Sequence, residues 1–350
     1  MITVIFILTL LGLLFPKSRL IAWIEIIAMS LFYGGYNGHI DLNNYIWQYQ
    51  NNWITDSPLQ KLYSYTSVAF HCAGISFEAY HFVITVISLV IIAIIVSKMT
   101  EQTAYVLSLI SIFVYIENGW QLKTMLATSV IVLALYWFYK RIYSKPYNSK
   151  SVMKDMMIYV ILIFVAAQFH FLALFFLAFL FMPIVKGHFV KVIFADLMIF
   201  ALANVILERA AVYIKMLNNY LSPISLPVFI VAVLWQVLGY FMLVYKSERD
   251  KLEIENDCIQ GFVFDGSLVL MLIMPFYYYT TGVTRIYRIW IIFIAVYASK
   301  LSRKKFLVNI KRLILDAYVI GSSIFWFYVM FKFRGTEPLI TNLIKDNFFF

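Results

Sequence analysis

Hydrophobic residues fall in long runs separated by short polar stretches. The runs that read as membrane spans are 2–15, 20–36, 79–97, 104–116, 121–139, 192–207, 224–245, 262–280, 286–299 and 313–331, with one longer run over 156–185. A crossing helix needs about 20 apolar residues, or fewer where aromatic belts close its ends. The first run lacks a basic leader and a small-residue cleavage site, so it reads as a retained span rather than a signal peptide.

The run 156–185 decides the topology. As a single helix it would reach about 45 Å, against a hydrocarbon core of about 30 Å. Gln168 and His170 sit at its middle, where a His facing lipid is costly. The run is therefore predicted to fold into two short spans with a tight turn at Gln168-Phe169-His170. Basic loops point the same way. Lys140, Arg141, Lys145, Lys150 and Lys154 crowd one loop, and Lys300, Arg303, Lys304, Lys305, Lys311 and Arg312 another. Both belong in the cytoplasm, and two crossings in the long run put them there together. The expected fold is a single all-α, polytopic integral membrane domain with about 12 transmembrane helices and both ends outside. The loop 37–78 is then extracytoplasmic and carries amphipathic helices, the loop 246–257 is inside, and 208–222 reads as a short outer interfacial segment.

Composition sharpens this picture. The chain is 63% hydrophobic and 13% charged, a balance no water-soluble domain uses. Its net charge of +10 collects in the predicted cytoplasmic loops, so it does not imply nucleic acid. Two cysteines, Cys72 and Cys258, make neither a disulfide framework nor a metal site. No Gly-rich phosphate loop, Gly-x-Ser-x-Gly elbow or Cys-x-x-Cys occurs.

The costly polar residues gather on the predicted outer face. Asp41, Tyr45 and Tyr49 fall four apart and would share one helix face. An acid beside two phenols can hydrogen-bond a sugar while the rings cover its apolar face; the same pattern suits a connector lying at the bilayer surface. Glu78 opens the span 79–97 and can serve as acid or as helix cap, favoured there by the helix dipole. Lys123 begins a span after the turn Glu117-Asn118-Gly119-Trp120, and His170 occupies the turn of the split run. Arg285 and Arg288 stand three apart, so both forks can face one phosphate or diphosphate, or else snorkel to headgroups. His71 and His81 flank Glu78 without the order of a zinc motif, and no metal or other cofactor is expected.

Taken in order, these motifs resemble the EpsG/Wzy-like bacterial polysaccharide polymerases. The carriers are Gly38-x-x-Asp41-x-x-x-Tyr45-x-x-x-Tyr49, then Glu78-Ala79-Tyr80, Lys123-Thr124-Met125-Leu126-Ala127, His170-Phe171-Leu172-Ala173-Leu174, Arg285-Ile286-Tyr287 and Glu337-Pro338-Leu339. Lys123, Thr124 and Leu172 depart from the family's Arg, Gln and small polar residue, and Lys123 loses the bidentate fork. The resemblance implies a GT-C-like architecture in the bacterial plasma membrane. It implies an enzyme that joins undecaprenyl-diphosphate-linked oligosaccharides at the outer face, without nucleotide sugar or metal. It also implies a flippase and a chain-length regulator as pathway partners, beside the surrounding membrane lipids. Asp41, Glu78 and His170 are the candidate bases; Arg285, Arg288 and Lys123 the candidate diphosphate ligands; Tyr45 and Tyr49 the candidate sugar contacts. A lipid-linked oligosaccharide flippase is the alternative, with Glu25 as its mid-span charge, and a membrane O-acyltransferase is a third reading.

Overall fold

The computed structural model describes residues 2–36, 40–111, 121–144, 150–213, 221, 223–245, 258–280, 283–301 and 310–334. The side chain of Asp41, the turn 117–120, most of the loop 208–222, the loop 246–257 and Glu337-Pro338-Leu339 lie outside the described residues. The fold is all helical, with fourteen α-helices and no strand among the described residues. They are α1 (Ile2–Leu14), α2 (Arg19–Gly34), α3 (Ile40–Gln50), α4 (Lys61–Cys72), α5 (Phe77–Met99), α6 (Thr103–Ser111) and α7 (Leu122–Trp137). Then come α8 (Lys150–Ala167), α9 (Met182–Val185), α10 (Phe189–Tyr213), α11 (Leu226–Val244), α12 (Ile259–Met271), α13 (Thr284–Lys300) and α14 (Ile310–Arg334). Among the described residues, four stretches are long and apolar enough to cross a membrane on their own: Phe77–Met99, Leu122–Tyr143, Phe189–Val212 and Leu226–Val244.

The long apolar run breaks where Gln168 and His170 interrupt it. α8 ends at Ala167, a turn follows, and the chain resumes as a 3₁₀ helix over Phe171–Phe181 that passes into α9. α7 likewise continues as a six-residue π-helix, Phe138–Tyr143.

The chain divides into two compact units. The first holds Met1–Leu133, Val165–Phe171 and Asp316–Phe350. In it α2 packs on α5 and α6, and α1 packs on α6 and α2. Small residues permit this closeness: a Cβ at Gly34 would come within 3.0 Å of the Phe82 backbone. Gly12 faces the Ser108 hydroxyl, which donates to the buried Glu25 carboxylate, so three helices meet around one acid. Ser18 caps α2 by accepting from the Ile21 N–H at 3.3 Å, as N-terminal serines do.

The second unit holds Ala134–Phe164 and Leu172–Leu315, with α12 packed against α9, α10, α11 and α13. Its core is aromatic. The Trp290 indole donates to Ser267 Oγ at 3.0 Å and packs among Phe179, Phe262 and Phe293. Gly266 leaves the space the indole fills. The Asp265 carboxylate accepts from Tyr143 at 2.7 Å and from the Gly187 N–H at 3.3 Å.

Candidate functional site

The first unit builds a polar site from the segment between α2 and α5. α3 and α4 lie there, joined by a loop whose path is set locally. Thr55 and Ser57 each turn a hydroxyl back onto the N–H two residues on, at 3.2 Å, a turn device of hydroxyl side chains. Asn52 takes a left-handed conformation (φ 51°), and its side-chain oxygen contacts His71 Nδ1 at 2.7 Å. The loop ends at Gln60, also left-handed, with φ 64°. The turn after α8 is pinned to this point. Gln60 N–H donates to Ala167 O, and Tyr63 N–H to Gln168 O, both at 3.3 Å. The Gln168 amide donates to Pro58 O at 3.2 Å. His170, which is buried, follows directly, stacked on Phe171.

Lys123 enters this site from the first turn of α7. Its side chain is only 8% exposed. The ammonium lies 4.8 Å from the Tyr63 ring centre, 5.4 Å from Tyr45 and 5.8 Å from Trp53. It donates to Gln60 Oε1 at 3.4 Å. Among the described residues, Lys17–Glu101 is the only ion pair, so no described carboxylate neutralises Lys123. Cation–π contacts contribute up to about 2 kcal/mol each when desolvated. Burying an ammonium costs several kcal/mol, so three ring faces offset the cost while leaving the charge unspent. Burial, and then the phenols of Tyr80 and Tyr45, hold the Tyr63 hydroxyl well above its ordinary range. It therefore stays neutral beside the cation.

The other predicted residues divide between the two units. Asp41 stands in the first turn of α3, one turn before Tyr45. Tyr49 is buried: its hydroxyl donates to Ile75 O at 2.8 Å and its ring packs on His71, Phe77 and Tyr80. It fastens α3 to α5. Its hydroxyl pKa is raised by burial and then by the Glu78 charge. Glu78 is in the first turn of α5, but Ser76 is the cap, accepting from the Ala79 N–H at 3.2 Å. The carboxylate is thus not needed to cap the helix. Arg285 and Arg288 open α13 in the second unit; Arg288 is buried, Arg285 is half-buried and its Nε has no partner among the described residues. Trp53, Gln60 and Tyr63 are site residues the motif reading missed. The one hint was their density of aromatic and amide groups in a loop; only the fold brings them to Lys123.

Among the described residues no group of three or more metal-ligating side chains occurs. Crossing-length apolar helices, with a caged cation at the end of one of them, define a membrane protein with a buried polar cluster. The family model described as "EpsG family" matches residues 19–343. The chain belongs to the EpsG family, a Wzy-like polysaccharide polymerase family. No curated protein and no solved structure matches the chain.

Proposed function

We propose that this protein polymerises undecaprenyl-diphosphate-linked oligosaccharide repeats at the outer face of the bacterial plasma membrane, as a multi-pass glycosyltransferase without metal. The observation that supports it most is Lys123: a buried cation without a described acid partner, walled by rings that suit sugar faces. In the reaction a hydroxyl oxygen of the incoming repeat attacks the anomeric carbon of the growing chain. The bond from that carbon to the diphosphate breaks, and the diphosphate leaves with the electron pair. Lys123 holds the leaving anion and stabilises its charge; Arg285 and Arg288, in the second unit, are the other candidate diphosphate ligands. Asp41, Glu78 or His170 takes the hydroxyl proton, worth about 10²–10⁴ in rate. Tyr45 stacks on the sugar, and Tyr49 holds α3 in place beneath it.

The test is the polymer ladder of a deletion strain complemented with Asp41→Asn, Lys123→Gln or Arg285→Ala at wild-type membrane level. Each is expected to cut polymer by about tenfold or more, and single repeats accumulate on the lipid carrier. Normal polymer from all three variants overturns the reading. Sidedness has its own probe, because both cysteines are exposed. An impermeant maleimide added to osmotically opened but intact cells should label Cys72 and leave Cys258, which follows a cytoplasmic loop, unlabelled until lysis. The opposite pattern would remove the outer-face assignment.

A further inference from the structure

Gln60 combines a left-handed backbone with a buried side-chain donor that has no partner among the described residues. Its φ of 64° lies in the left-handed region, where a non-glycine residue is strained and persists only if its surroundings hold it. It is 3% exposed. It stands at the N-cap of the twelve-residue α4, yet makes no side-chain capping bond. Its amide is oriented by chemistry: Oε1 accepts from Lys123 Nζ, and the reverse orientation would set two donors against each other. Nε2 is therefore turned away from the ammonium, and it is buried without a hydrogen-bond partner among the described residues. Such an orphan donor costs free energy unless something fills its need.

Three positive or donor groups thus meet at this one residue. They are the Lys123 ammonium, the Gln60 Nε2–H groups and the positive end of α4. The Gln60 N–H is committed to the Ala167 carbonyl, which ties this backbone to the turn after α8. One oxyanion bridging Lys123 and Gln60 would satisfy both side chains together. The geometry points to Gln60 as a ligand-binding residue that, with Lys123, forms an oxyanion site for a phosphate or diphosphate group. Identifying that group with the substrate's diphosphate rests on the polymerase reading; the site itself does not. The strained backbone is explained on this account, because the conformation at Gln60 is what carries its amide to the anion rather than to the helix end.

The test uses full-length protein in neutral detergent, with melting temperature as the binding readout. The probes are inorganic pyrophosphate, undecaprenyl diphosphate and phosphatidylglycerol. Wild-type protein should be stabilised by both diphosphates in a saturable manner. Gln60→Glu keeps the size of the side chain but puts a carboxylate against Lys123, closing the site. It should melt no lower than wild type without ligand and weaken pyrophosphate binding at least tenfold. Gln60→Gly suits the left-handed backbone and removes the donor; it should fold and also lose the pyrophosphate shift. A merely structural Gln60 would lower the ligand-free melting temperature in Gln60→Glu and leave pyrophosphate affinity unchanged, and that result overturns the proposal. Stabilisation by phosphatidylglycerol alone, lost in Gln60→Glu, keeps the oxyanion site but makes a headgroup its ligand and counts against the polymerase reading. Full polymer from Gln60→Glu despite lost pyrophosphate binding has the same effect. Lost polymer with intact binding sinks the site and spares the reading.

Discussion

α7 and α10 are both long apolar helices of crossing length, and they are treated in opposite ways. Protein covers 78% of the apolar window of Leu122–Tyr143, but only 17% of that of Phe189–Val212. Each helix carries a lysine in its first turn, Lys123 and Lys191. Lys123 is buried in a ring of aromatics; Lys191 is exposed. The difference teaches that hydropathy finds a span, whereas function follows what covers it. A covered helix can carry Lys123, Thr124, Thr128 and Ser129 inside the protein, because neighbouring groups replace water. The largely uncovered α10 instead leaves its Lys191 and Asn204 exposed.

That contrast can be broken most directly at the two lysines. Lys123→Gln should reduce polymer by tenfold or more, while Lys191→Gln, at equal membrane level, leaves the ladder unchanged. Equal losses from both would show that the charge, not its enclosure, is what matters. A smaller effect comes from one substitution placed on each helix run. Ala134, on α7, is fully buried, and Ala201, on α10, is exposed. Ala134→Leu should destabilise the protein by about 1–3 kcal/mol through overpacking, and Ala201→Leu by no more than about 0.5 kcal/mol. Melting temperatures in detergent distinguish them. The smallest effect belongs to the exposed pair Lys17–Glu101, joined at 2.7 Å. Its hydrogen bond and the Lys17 charge hold the Glu101 carboxyl below its ordinary range. Any stability it lends is therefore present at neutral pH and lost as pH falls through that lowered value. Because both side chains are open to solvent, Glu101→Gln should leave the melting temperature unchanged at every pH tested. A measurable drop would mean the loop is less hydrated than its exposure indicates.

Much of the helix pattern was legible in the runs of apolar residues. The runs at 79–97, 192–207, 224–245 and 286–299 each lie within two or three residues of a helix, apart from the longer tail of α10. The break at Gln168-Phe169-His170 was legible too, because polar residues at mid-span leave few physical options. α3 and α4 fall in the loop where amphipathic helices were expected. The site was only half visible. Lys123 and Tyr45 stood out by position, but Trp53, Gln60 and Tyr63 reach Lys123 only through a loop closed by short hydroxyl turns and a backbone bond to Ala167. Helical periodicity carries no record of such a loop. Tyr49, equal to Tyr45 in spacing, is claimed by the core because Ile75 O accepts its hydroxyl. No spacing rule distinguishes the two phenols.

The 3₁₀ segment after His170 has a consequence of its own. Runs of this geometry rarely exceed about four residues, yet this one holds for eleven. At about 2.0 Å per residue, followed by the four α-helical residues of α9 at about 1.5 Å, Phe171–Val185 extends about 28 Å. The eighteen residues of α8 extend about 27 Å. Stretching the backbone thus gives fifteen residues the reach that eighteen have in α8. Rewound to ordinary α pitch, the same stretch would be about 5 Å shorter, and Lys186 and His188 at its far end would be drawn that much closer to the turn at His170.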